Sequence, residues 1–200
     1  MECAVGSSLA RGFGAAPAPA PVRRRRLLDD LPLSPILEVR PALNDELPQL
    51  ASLLAELVPG VSAPFSSFSS VHRYSKSIYA VLNSSSLVGC FACLHLNKSG
   101  LEGLLDSTLS MTEPQHACLV VAGSQVEAIY AWAWAMRPPT NGIRAMGNWM
   151  KWLRRPELRN AEIYGRPLTE KGMGFGHNLG SRPVECKVEG HGLWVIPRSS

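Results

Sequence analysis

Apolar residues recur along this chain in two rhythms, and the switches between them mark out its elements. Leu47, Leu50, Leu53, Leu54 and Leu57 return every three or four residues, which gives a helix over 47–57 one apolar face. Pro48 falls in its first turn, where proline is tolerated. Asn44 or Asp45 is placed to cap it, Asp45 and Glu46 suit the positive end of its dipole, and Pro59-Gly60 stops it. Phe65, Phe68, Val71 and Tyr74, each three apart, predict a second helix over 64–76. Residues 36–40 alternate and end at Pro41, as a short strand does. Residues 78–82 and 87–96 read as two strands joined by the polar turn 83–86, a hairpin. A short helix is expected over 101–109 and a strand over 116–122.

Residues 125–184 then run strand, turn, helix, strand, helix, strand. Tyr130, Trp132 and Trp134 alternate along the strand 125–135, so they are expected on one face. The turn Arg-Pro-Pro-Thr-Asn-Gly at 137–142 leads into a helix over 143–154 that carries Trp149 and Trp152. Packing of that strand face on that helix accounts for the aromatic residues without a ligand. A strand over 162–167, a glycine-studded segment from Thr169 and a last hairpin of 184–188 with 193–196 complete the order. Antiparallel hairpins followed by strand–helix–strand make an α+β (mixed α/β) chain. No internal repeat is present.

Composition adds a boundary. Residues 1–34 combine a Pro/Ala run at 15–21 with Arg23 to Arg26, and read as a disordered Pro/Ala/Arg-rich tail ahead of one domain at 35–200. Residues 1–28 hold five arginines and one glutamate, which is the whole net charge of +4; the other 15 basic and 15 acidic side chains cancel. A neutral globular part gives no basis for a specific nucleic-acid partner. Asp29 and Asp30 interrupt the apolar residues that a secretory signal would need after its arginines, so the cytoplasm is the default location, with an organelle transit peptide the compositional alternative. No run approaches the roughly 20 apolar residues of a membrane span. The five cysteines are odd in number and irregularly spaced, which argues against a disulfide framework. Cys90 and Cys93 form a CxxC, but on a strand they point to opposite faces, so no metal is expected there. His95, on the same strand, reads as a packed histidine. There is no G-x-S-x-G elbow and no Walker or dinucleotide fingerprint.

Three segments carry a likeness. Residues 37–54 (LEVRPALNDELPQLASLL), 163–172 (IYGRPLTEKG) and 179–184 (LGSRPV) resemble the opening strand and helix, the late strand and helix, and the final corner of the GNAT superfamily, the acyl-CoA-dependent N-acetyltransferases. The order of elements over about 36–196 agrees with it. The resemblance implies a central, mostly antiparallel sheet flanked by helices. It implies acetyl-CoA or another acyl-CoA as co-substrate, no metal, and a small-molecule or protein amine as acceptor; it is compatible with a homodimer. The family's pyrophosphate loop, Q/R-x-x-G-x-G/A, would fall on Arg137 to Gly142, with Thr140 where a glycine is expected. Trp134, Ala135, Met136, Arg137, Thr140, Asn141, Gly142, Ile143 and Arg144 are then the expected CoA-binding residues. Pro138 and Pro139 have no N–H to offer a phosphate, which leaves the N–H groups from Asn141 to Arg144 at the helix start.

The family's usual acid, a tyrosine four residues before the corner glycine, would fall on Gly176, and the corner phenylalanine is Ser181. Glu127 and His177 are the candidate catalytic groups that the resemblance leaves, beside the plainer readings of a solvated strand residue and a surface helix residue. Two other readings stay open: a GNAT-like binding or regulatory module without activity, and a divergent acyltransferase fed by a carrier protein.

Overall fold

The computed structural model describes residues 37–58, 63–137, 142–167, 170–184 and 192–197. The expected tail at 1–34 and most of the expected strand 184–188 lie outside these residues. The elements are β1 Leu37–Pro41, α1 Leu47–Leu57, α2 Phe65–Ser75, β2 Ile78–Asn83, β3 Ser86–Leu96, α3 Lys98–Leu105, β4 Ala128–Met136, α4 Gly142–Trp152, β5 Glu162–Gly165, α5 Glu170–Asn178, β6 Arg182–Val184 and β7 Leu193–Ile196. The strands form a seven-stranded sheet in the order β1-β2-β3-β4-β5-β7-β6. Within it β4 and β5 run parallel and the other neighbours are antiparallel. This is the α+β architecture that the sequence predicts.

Helices cover both faces. Leu47, Leu50, Leu53 and Leu54 of α1 and Phe68 of α2 bury against Ala80, Leu82, Cys90 and Ala92. Val71 and Leu104, from α2 and α3, continue that layer over Leu94, Leu96, Tyr130 and Tyr164. The opposite face is closed by α4, whose Ala145, Met146 and Trp149 pack on Tyr79, Val81, Phe91, Cys93 and Ile129. Trp149 is 0% exposed, and its ring stacks on Phe91 with centroids 5.3 Å apart. Asn148 Nδ2 donates to the Leu37 carbonyl at 2.6 Å, tying α4 to the edge strand. Cys90 and Cys93 fall in the cores on opposite faces, as alternation requires, and burial pushes both thiols up.

Four local expectations are corrected. Residues 116–122 are not a strand: His116–Cys118 is a single 3-10 turn, and Leu119 makes only an isolated bridge to Leu96. The third helix starts earlier than expected, because Asn97 caps it by accepting from the Gly100 N–H at 2.9 Å. Neither Asn44 nor Asp45 caps α1. Glu46 holds that position and instead receives Arg40 on both oxygens, at 2.6 and 2.8 Å, and the Leu43 N–H at 2.7 Å. The aromatic trio of β4 does not share a face. The β3–β4 pairing steps from Ala92↔Ala133 to Cys93↔Ala131, which leaves Trp132 as an extra, bulged residue. Alternation resumes one residue out of phase. Tyr130 and Trp132 face the α1–α2–α3 layer, where Trp132 lies 6.2 Å from Phe68 and its Nε1 donates to the Met111 carbonyl at 2.9 Å. Trp134 turns to the α4 side, 5.4 Å from Trp149.

Two buried histidines stitch the layers in their neutral form. His72 Nε2–H donates to the Ala42 carbonyl at 3.0 Å, and its Nδ1 accepts from the Ile78 N–H at 3.3 Å. A second proton at Nδ1 would break the Ile78 bond. His95 Nε2 meets the Tyr79 hydroxyl at 3.3 Å. Burial, with Lys76 nearby, pushes His72 down to about 4, and burial takes His95 to about 4 as well. In the unfolded chain both imidazoles protonate near pH ~6.5. Between those values the unfolded state binds more protons, so this contribution to stability is complete above the window and is lost as pH falls through it. The melting temperature is expected to hold above neutrality and to fall steadily as pH is lowered toward about 4.5. His72→Gln should melt lower at neutral pH and show a shallower fall, as followed by circular dichroism; parallel curves for the two proteins would contradict this role.

Candidate functional site

The centre of the sheet does not stay closed. β4 and β5 pair at Ala128↔Glu162, Ile129↔Ile163, Tyr130↔Tyr164 and Ala131↔Gly165, and there the pairing ends although β4 runs on to Met136. Both strands supply a cause. On β4 the next residue is the bulged Trp132, which re-aims the strand. On β5 the next residues are Arg166 and Pro167, and proline cannot donate to a ladder. The separated strands leave a cleft of about 240 Å³. Trp132, Ala133 and Trp134 form one wall. Gly165, Arg166 and Pro167 form the other, with Gly172, Met173 and Gly176 of α5 and Trp194 of β7 closing it.

The lining is apolar apart from a few groups. Arg166 is the one charged side chain among the described residues that line it. Its Nη2 donates to Ser107 Oγ at a long 3.3 Å, while its Nε is buried and has no partner among the described residues. Ser181 Oγ is in the same condition. Tyr164 donates to Glu162 Oε2 at 2.8 Å; burial first, then that bond and the charge of Glu162, push its hydroxyl up to about 12, so it keeps its proton at neutral pH. Gly176 is held close: a Cβ there would meet Ser181 Oγ at 2.8 Å. At the position that would carry the expected tyrosine, a side chain would therefore have to displace the Ser181 hydroxyl.

Beyond the open end of β4 begins α4. Its first turn, from Gly142, directs backbone N–H groups out of the helix end, a ready anion site. Gly142 has open space around its missing side chain, and Ile143 is 73% exposed. Among the other expected CoA-binding residues, Trp134 lines the cleft, Ala135 is buried on the α1 side, and Met136 packs on the α4 side. Arg137 donates its backbone N–H to the Val88 carbonyl at 2.8 Å, while its guanidinium pairs with Glu56 at 2.8 Å, both side chains exposed. Arg144 is partly buried in the first turn of α4. Thr140 and Asn141 lie outside the described residues.

The two candidate catalytic groups are not brought together. Glu127 is exposed and stands just before β4, at the paired end, with its N–H on the Leu96 carbonyl at 3.0 Å. It precedes Trp132 by five residues, about 16 Å of strand. His177 is exposed on α5, its ring edge-on to Trp194 with centroids 4.8 Å apart, so it sits behind one wall of the cleft. The sequence reading missed Arg166, Trp132 and Trp194 as cleft residues. A charged residue between glycine and proline at the end of an apolar strand was the available signal for Arg166.

No family model matches the sequence. No curated protein matches it either. Solved structures do match. The loading GNATL domain of CurA from Lyngbya majuscula superposes with a TM-score of 0.58 at 10% identity, over 81% of this chain and 98% of that one. The GphF GNAT-like decarboxylase, solved with isobutyryl-CoA, gives 0.51 at 12% identity over 79% and 97%. A mosquito arylalkylamine N-acetyltransferase-like protein, 5b, gives 0.50 at 11% over 80% and 99%. Identities this low speak for the backbone alone, and the backbone, with its parallel β4–β5 pair opening into a cleft, is a divergent version of the GNAT fold.

Proposed function

We propose that this protein is an acyl-CoA-dependent acyltransferase that transfers an acetyl or related acyl group to an amine. The observation that carries the reading is the parting of β4 and β5 in the middle of the sheet, on the strand that leads into α4. Past Ala131 β4 runs on with no paired strand on its β5 side among the described residues, an edge whose shape suits an extended, amide-bearing chain such as pantetheine. The first turn of α4 suits the pyrophosphate, and the apolar cleft suits the acyl thioester. In the reaction a neutral amine attacks the thioester carbon, the C–N bond forms, the C–S bond breaks, and the thiolate leaves with or acquires a proton while the amine loses one. Backbone N–H groups at the Trp132 bulge are suited to the developing oxyanion. His177, behind the Trp194 wall, is the nearer candidate for the base; Glu127, at the other end of β4, would need the acceptor or a water chain to reach it. The acceptor is a small-molecule or protein amine, and the cytoplasm is the proposed location.

A second reading has one specific observation in its favour. Among the described residues that line the cleft there is no histidine, carboxylate or cysteine. A module that binds acyl-CoA without turning it over would look the same. Calorimetric titration of the full chain with acetyl-CoA and CoA, followed by thiol release across a panel of amines, separates the two: binding with turnover supports the enzyme, and binding without turnover supports the module.

Two variants test the parts. Gly142→Asp places a carboxylate at a helix N-terminus, which the helix tolerates well and for which there is room. It should melt like the wild type and bind CoA about two orders of magnitude more weakly through like-charge repulsion; unchanged affinity would remove the α4 terminus from the site. His177→Gln should leave acetyl-CoA affinity unchanged and lower turnover by about 10²-fold or more. Wild-type turnover with a wild-type pH profile would shift the assignment to Glu127, where Glu127→Gln makes the same comparison.

A further inference from the structure

Arg166 is misplaced for a structural residue. It directly follows the last residue of β5, past the last β4–β5 pair, Ala131↔Gly165, so it stands at the apex where the strands separate, as Trp132 does on β4. No aspartate or glutamate among the described residues lies within ion-pair distance of it. Its single hydrogen bond among them is the long one to Ser107, and its Nε is buried with no partner among the described residues. A buried guanidinium N–H left unpaired is costly, and proteins retain such a group where something completes it. His72, which is buried with both ring nitrogens partnered, shows the contrast.

The surroundings narrow what completes it. Arg166 carries the one charge on an otherwise apolar lining, so a ligand group of a single negative charge balances it and a phosphate dianion does not. Its reach to Ser107, beyond α3, puts it on the face of the sheet opposite α4, away from the helix terminus suited to phosphate. A planar guanidinium fork matches a planar carboxylate on two atoms. The Ser181 hydroxyl, also unpartnered on the same lining, offers a further donor.

We infer that Arg166 is a specificity residue that receives a carboxylate of the substrate in the cleft. This rests on the acyl-CoA reading and deepens it. The carboxylate has two sources. It belongs either to the acyl group, as in malonyl- or succinyl-CoA, or to the acceptor, as in an amino acid whose amine is acylated.

The full chain is titrated with acetyl-, butyryl-, malonyl- and succinyl-CoA, and acetyl transfer is measured to amino acids and to the matching amines that lack the carboxylate. A donor carboxylate predicts malonyl- or succinyl-CoA binding about tenfold or more tighter than its uncharged counterparts. An acceptor carboxylate predicts equal donor affinities and a KM for amino acids about tenfold or more below that for the bare amines. In either case Arg166→Gln erases the preference and Arg166→Lys retains part of it. The wild-type series decides the point even where a variant folds poorly, which melting curves reveal. If the esters bind and neither arm shows a carboxylate preference, or the preference survives in a folded Arg166→Gln, the inference is overturned and the acyl-CoA reading stands. If the folded protein binds no CoA ester, that reading fails and the inference falls with it.

Discussion

Everything that makes this sheet a site depends on one broken ladder. Parallel strands normally stay paired along their length, since each unpaired N–H or C=O away from water costs free energy. Here β4 and β5 separate after four pairs, and the chain enforces it from both sides, with a bulge at Trp132 and an Arg-Pro step after Gly165. Either device alone leaves the other strand free to follow. Together they turn the middle of a buried sheet into an open mouth beyond the last β4–β5 pair.

The bulge has a second consequence. By adding one residue to β4 it reverses which side chains meet which layer. Trp132 goes to the α1–α2–α3 side and Trp134 to the α4 side, so each face of the cleft gains an indole from the same strand. Trp134 is fixed by Trp149 and Phe91, and Trp132 by Phe68 and the Met111 carbonyl. Large rings held by packing give the opening a rigid outline. The width of the cleft is then set by where these rings stand.

That arrangement was partly legible in the sequence. The leucine spacing of α1, the β2–β3 hairpin and the β4–α4–β5 succession follow from periodicity and turn residues, and they sufficed for the fold. The bulge did not show, because Ala-Trp-Ala-Trp-Ala alternates cleanly and nothing local says that one residue will be squeezed out of the ladder; it is a product of pairing between β3 and β4, residues far apart in sequence. Residues 116–122 misled for the opposite reason. Cys-Leu-Val-Val-Ala is apolar because Leu119 and Val120 are buried, yet the segment is a connection, and burial with a single bridge in place of a ladder leaves the same pattern as a strand. Arg166 was read as the tail of a strand, since whether a terminal arginine meets solvent or a cleft depends on where the neighbouring strand goes.

For a CoA ester bound in this cleft, affinity and selectivity would divide between its two ends. Pro138 and Pro139 supply no N–H, so a phosphate at this loop depends on the backbone from Thr140 onward, with Gly142 and Ile143 opening α4. Arg137, the loop's first cation, already pairs with Glu56. With fewer donors at the phosphate end, more of the discrimination among ligands would fall to the other end, where the lining is mostly apolar and Arg166 is the one charged side chain among the described residues. A hydrogen bond there is stronger, and its absence more costly, than the same contact in water. Arg166 thus holds the position from which one contact separates substrates that share every other atom.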